Sequence, residues 1–155
     1  MIRLSLRCAK GWGMRNYQTL AAGDVDAKTG IVTLTGGNES FVALRREGEY
    51  VGISASYGAL EIALRPHIRD LIRTVKRLQA NDGLQTTRQV GEGNSFLGLG
   101  LYTDGTLVLR PTLINDASGY FALNFALAPQ AAAVLKNWLE AEEAKDVKDK
   151  FKTNG

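Results

Sequence analysis

Aromatic rings and arginines recur through this chain in the company of glycine and alanine: Phe41, Arg45, Arg46, Tyr50, Arg88, Phe96, Tyr102, Arg110 and Tyr120. A ring or guanidinium plane on a low surface can stack on an unstacked nucleobase. Such stacking contributes roughly 1–3 kcal/mol per base and tolerates any sequence. Arginines also hold phosphates, which makes binding salt-sensitive. These residues are the candidate contacts for single-stranded DNA or RNA, read largely without regard to sequence. Glycine inside a strand weakens it, and one reason to keep it there is close approach by another group. The same small residues suit packing against another chain. A structural or assembly protein, using this surface for protein–protein or self-association, is therefore the rival reading.

Other chemistries find little support. His67 is the sole histidine and Cys8 the sole cysteine, far apart in the chain. Neither a Cys–His nucleophile nor a zinc site follows from them. The acids of "DVDAKTG" (24–30) lack the remaining ligands and distant Glu of a calcium loop, and read as a turn. The glycines of "GEGNSFLGLG" (91–100) do not open a helix, so a dinucleotide or phosphate loop fails its context test. No catalytic residue, metal or cofactor is expected, and the chain does not read as an enzyme.

With 155 residues the chain is long enough for one domain with a core of its own. A single cysteine excludes an internal disulfide framework and fits a reducing compartment, so a cytoplasmic location is expected. No apolar run approaches the roughly 20 residues of a membrane span, and no membrane partner is expected. The net charge of +3 permits a polyanionic partner without demanding one. Up to Ala22 the chain holds Arg3, Arg7, Lys10 and Arg15 and no acid. Its alternation at Ile2, Leu4, Leu6 and Cys8 suits a strand. Arg3, Arg7 and Lys10 would also line one helix face, as in a mitochondrial presequence, which keeps a mitochondrial location open.

The elements that position these residues are written twice. "YGALEIALRP" (57–66) resembles "YFALNFALAP" (120–129), and "GGNESFVAL" (36–44) resembles "GEGNSFLGL" (91–99). Each unit reads as four strands and a helix. In unit one these are 30–35, 40–46, 49–55 and 59–64, with a helix from Pro66. In unit two they are 84–90, 95–102, 106–114 and 120–127, with a helix from Pro129. Glu47-Gly48 and Asp104-Gly105 supply hairpin turns, whose central residues need positive φ. Pro at a helix start costs nothing, because its missing N–H would have no partner there. Ile68, Leu71, Ile72, Val75 and Leu78 form one apolar helical stripe, and Val134, Leu135, Trp138 and Leu139 another. Opposite the first stripe, Arg65, Arg69, Arg73, Lys76 and Arg77 form a basic ridge: a solvated face or a phosphate contact.

Alternation along the strands sorts the faces. The core face takes Val32, Leu34, Val42, Leu44, Val51, Ile53, Leu60, Ile62 and Leu64. In unit two it takes Leu97, Leu99, Leu101, Leu107, Leu109, Phe121, Leu123, Phe125 and Leu127. The outer face takes Phe41, Arg45, Tyr50, Phe96, Gly98, Gly100, Tyr102, Val108, Arg110 and Tyr120, with Arg88 beside them.

The expected fold is α+β: two pseudo-symmetric ββββα repeats, antiparallel four-stranded sheets packed against two helices. Residues 1–29 form a basic extension with room for an extra strand, 30–80 unit one, 81–144 unit two and 145–155 a charged tail. The two units make one domain. This duplicated unit resembles the Whirly proteins of plants, the kinetoplastid mitochondrial guide-RNA-binding proteins and the PUR-repeat proteins. It is also similar to the positive-cofactor-four coactivators, where one unit dimerises. The two "SF" strands (40–41 and 95–96), the acidic-Gly hairpins and the paired "ALxxALxP" segments carry the likeness, over residues 30–144. The resemblance implies single-stranded DNA or RNA binding on exposed sheet surfaces, and further oligomerisation. Uncovered edge strands point the same way, to a homo-oligomer.

Overall fold

The computed structural model describes residues 16–82 and 86–154, with side chains as far as residue 148. The segment 1–15, with its strand-or-presequence reading, lies outside the described residues, as does the start of the strand expected at 84–90. Among the described residues the chain is α+β, with eleven strands and two helices. The first half runs β1 (Gln18–Val25), β2 (Val32–Gly36), β3 (Ser40–Glu47), β4 (Tyr50–Tyr57), β5 (Leu60–Leu64) and helix α1 (Ile68–Lys76). The second runs β6 (Ala80–Asn81), β7 (Arg88–Val90), β8 (Ser95–Tyr102), β9 (Leu107–Asp116), β10 (Gly119–Ala122), β11 (Phe125–Leu127) and helix α2 (Pro129–Asn154). The hairpin glycines take the positive φ their turns require, 66° at Gly48 and 94° at Gly105.

In place of two antiparallel sheets there is one mixed sheet, ordered β5-β4-β3-β2-β1-β11-β9-β8-β6, with β10 paired to β9 and β7 to β8. The cause is β1. It pairs antiparallel with β2 and parallel with β11, so it occupies an edge of each half. Exposed strand edges are templates for unwanted pairing, and an inserted strand removes two of them. Gly36 makes the docking possible. A Cβ there would stand 2.0 Å from the Thr19 carbonyl oxygen, so no side chain fits beside the bulge at Leu20–Ala22.

The strand expected at 120–127 is split into β10 and β11. Both keep one register against β9, with Ala122 opposite Thr112 and Phe125 opposite Leu109. Leu123 lies opposite Pro111 and donates its N–H to the Pro111 carbonyl at 3.1 Å. Proline has no N–H to return the bond, so the ladder fails there. The Asn124 carbonyl accepts instead from the Gln18 N–H of β1, at 2.9 Å.

One core collects the inner residues of both halves: Leu20, Val32, Leu34, Ile53, Ile62, Leu99, Leu109 and Phe125, together with Ile68 and Leu71 of α1 and Leu135 and Trp138 of α2. The sheet bends so that β5 approaches β8 and β9. Burying each large side chain contributes about 1.5–3 kcal/mol, which is what holds helices too short or too charged to stand alone. On strands β5, β8, β9 and β10, five assignments of face are corrected. Leu60 and Phe121, expected inside, are 50% and 41% exposed, because both sit at hairpin ends beyond the packed body. Val108, Gly98 and Gly100, expected outside, are buried. Strands β8 and β9 are each paired on both sides, and the Thr86 side chain lies across Gly98. The tail expected from 145 is helical as far as Asn154.

Candidate nucleic-acid interface

Two clusters of arginine and aromatic residues form on this sheet. The first stands on the β3–β4 hairpin. Tyr50 packs against His67 with ring centroids 4.5 Å apart, and the Arg65 guanidinium lies 4.5 Å from the Tyr50 centroid. Glu47 accepts from Arg45 at 2.8 Å and from Arg65 at 2.9 Å. These hydrogen bonds, Arg45's first and Arg65's second, hold the Glu47 carboxyl below its ordinary value of 4.5. Arg45 and Arg65 are each 60% exposed at the side chain. The cluster exists because the Tyr50–His67 bridge seats the start of α1 on the hairpin, where the Ile68 N–H meets the Glu49 carbonyl at 2.9 Å.

The second cluster stands where β10 leaves β11. The Arg110 guanidinium lies 5.1 Å from the Tyr120 ring centroid, and Tyr120 is 63% exposed. Phe96, opposite Thr112, is the diagonal neighbour of Arg110 across the β8–β9 ladder. Tyr57, at the end of β4, faces the same cleft, whose volume is about 480 Å³. Thus Tyr57 and Tyr120, the matching residues of the sequence repeat, line one opening. Arg110 and Asn124 also line it, and the shared register of β10 and β11 places Asn124 opposite Arg110. The Nε of Arg110 and the Oδ1 of Asn124 are buried, and neither has a hydrogen-bond partner among the described residues.

The remaining candidates fall elsewhere. Phe41 is half-buried on β3 between Thr35 and Ser56. Tyr102 ends β8, half-buried, with Asn81 beside it. Arg46, one position from Arg45, points to the opposite face, as alternation demands. Its guanidinium reaches Asp146 at 2.5 Å, the Glu142 carbonyl at 3.2 Å and the Gly48 carbonyl at 2.9 Å. It clamps α2 rather than facing outward. Arg88, expected on the outer face, pairs with Leu99 in register while Val90 pairs with Leu97. Val90, Leu97 and Leu99 are all buried, so Arg88 belongs to the inner phase and emerges at the edge.

The basic ridge of α1 is partly neutralised. Lys76 pairs with Glu143 of α2 at 2.6 Å and Arg73 with Asp70 at 3.4 Å, leaving Arg69 and Arg77 exposed. Sequence reasoning missed Tyr57, Asn124 and the union of Arg65 with Tyr50. The tyrosines were already marked by the repeat; the other two depend on which strands meet. Among the described residues no helix is long and apolar enough to cross a membrane. Compared with known family models, with curated proteins and with solved structures, the chain matches none of them.

Proposed function

We propose that the protein binds single-stranded DNA or RNA, with bases stacking on exposed rings and arginines holding phosphates. The observation that carries this reading is the exposed Tyr120 ring beneath Arg110 at the mouth of an open cleft. Arg45, Arg65 and Tyr50 offer a second platform of the same composition on the other half of the sheet. The repeat in the sequence, "YGALEIALRP" (57–66) and "YFALNFALAP" (120–129), supports the same class of partner through the resemblance it carries to the Whirly and PUR-repeat group. No catalytic step is assigned to the protein.

Titration of a fluorescent oligo-dT or oligo-U at two salt concentrations, with duplex DNA as control, tests this. Binding to the single strand, weakened by salt, with little binding to the duplex, is the expected result. Tyr120→Ala is expected to cost about 1–3 kcal/mol of binding while leaving the melting temperature nearly unchanged, since the ring is mostly exposed. No binding at low salt overturns the reading.

A specific feature favours assembly as the second reading. The β9–β10 hairpin carries Leu113, Ile114, Tyr120 and Phe121, all substantially exposed. Contiguous exposed apolar residues mark interaction sites. Self-association abolished by Phe121→Ser, in a protein that ignores oligonucleotides, would establish this second reading in place of the first.

A further inference from the structure

We infer that the groove between α1 and α2 is a binding site for linked phosphoryl groups, independent of the single-strand reading above. The groove has a volume of about 450 Å³, the size of a small-molecule pocket. Its lining shares no residue with either cluster on the sheet. Four cations line it, Arg69, Arg73, Lys76 and Arg77, all from α1 and its C-terminal cap. From α2 come two acids, Glu143 and Asp146, and both are already engaged. Glu143 accepts from Lys76 at 2.6 and 2.7 Å, and Asp146 accepts from Arg46 at 2.5 Å. Arg73 reaches Asp70 only at 3.4 Å and keeps most of its donors. Arg69 and Arg77 make no ion pair among the described residues. The groove therefore carries positive charge that its own acids do not offset.

Spacing and residue type set the ligand class. Arg69, Arg73 and Arg77 follow one another every fourth residue, which keeps them near one face of the helix over about 12 Å. Like charges at that spacing destabilise a helix, and a cation in its first turn opposes the helix dipole. The matching positions of α2 in the sequence repeat are Ala132, Lys136 and Glu140, so the row is particular to α1. A row that costs its helix stability, and that the second helix does without, points to an anion that offsets the cost. Guanidinium groups grip phosphate oxygens two at a time, where an ammonium acts as a point charge. A phosphoryl group answers with three acceptor oxygens and up to about two negative charges. The row offers more donors than one phosphate can accept, so the ligand carries several phosphoryl groups in line. A free oligophosphate and the backbone of a nucleic-acid strand both have that chemistry.

The test titrates inorganic tripolyphosphate into the whole protein by calorimetry at low salt, with an oligoglutamate of equal charge as control. Tripolyphosphate is expected to bind, and oligoglutamate to bind roughly tenfold more weakly or not at all. The double variant Arg69→Gln, Arg77→Gln removes the two unpaired guanidiniums. It is expected to weaken tripolyphosphate binding roughly tenfold, with the melting temperature nearly unchanged, since both residues are exposed. Glu143→Gln frees Lys76 from a solvent-exposed pair and is expected to tighten binding a few-fold. Should the double variant fail to fold, this opposite change gives the readout. Oligo-dT added in competition separates the two sources. Displacement of tripolyphosphate assigns the groove to a strand's backbone, and its retention assigns the groove to a free oligophosphate. The inference is overturned if tripolyphosphate does not bind, if oligoglutamate binds equally well, or if neither variant alters the affinity. Strand binding on the sheet stands or falls separately, by the oligo-dT titration above.

Discussion

Glu47 is a single side chain that ties together two exposed arginines of this surface. It lies between Arg45 and Arg65, and their hydrogen bonds favour its charged form. A carboxylate held below its ordinary range stabilises the folded state above pH 4.5 and loses that contribution as the pH falls through its folded value. Asp104 and Asp116 titrate in the same sense, each held low by hydrogen bonds from Thr106 and Ser118 respectively. Melting temperature is therefore expected to fall as the pH drops below 4.5, and Glu47→Gln to flatten part of that dependence. The same substitution frees two arginines. Strand affinity is expected to rise, with a steeper salt dependence, each added phosphate contact steepening the log–log slope by about 0.7. An unchanged slope would mean that neither arginine reaches the strand.

At the scale of elements, α2 is bolted to the sheet at three points along its length. Near its start the Gln130 amide accepts from the Gly23 N–H at 2.6 Å and donates to the Gly23 carbonyl at 3.1 Å. Two turns later the Trp138 indole donates to the Gly30 carbonyl at 2.8 Å. Further on, Arg46 of β3 holds Asp146 and the nearly buried Glu142. The helix thereby ties the β1–β2 turn to β3 as well as covering the core. Trp138→Phe keeps most of the apolar volume and removes one donor. It is expected to cost about 1–3 kcal/mol in a urea unfolding curve, the penalty for stranding a part-buried carbonyl. A cost below a few tenths would mean that water replaces the indole freely.

For the whole molecule the decisive piece is β1. It is hydrogen-bonded to β2 in one half and β11 in the other, and Leu20 is fully buried in the shared core. The halves are therefore expected to unfold together. Leu20→Ala is expected to cost about 2–5 kcal/mol and to keep a single cooperative transition. Amide exchange in β3 and in β8 should accelerate by the same factor. Protection lost in β3 alone would show two units that merely sit side by side.

Much of this fold is written locally. Alternation of period two placed Val32, Leu34, Val42, Leu44, Leu97, Leu99 and Phe125 on the buried face, and helical spacing marked the stripes of both helices. The acidic-Gly pairs marked two hairpins. Such signals depend on neighbours a few residues away, so the chain carries them whatever the global pairing. The sequence by itself thus determined most of the strand and helix segments, though not β1 or β6, together with most of the core and a supply of rings and arginines among small residues. Only the tertiary structure decided that β1 would join the halves into one sheet, because edge pairing depends on strands distant in the chain. It alone interrupted the last strand, since the consequence of Pro111 appears only once Leu123 lies opposite it. It brought α2 against Arg46, and it set Arg88 in the inner phase through a ladder register no local pattern encodes. And it brought Tyr57, Arg110, Tyr120 and Asn124 around one cleft, a meeting of three chain segments that packing of the shared core brings about.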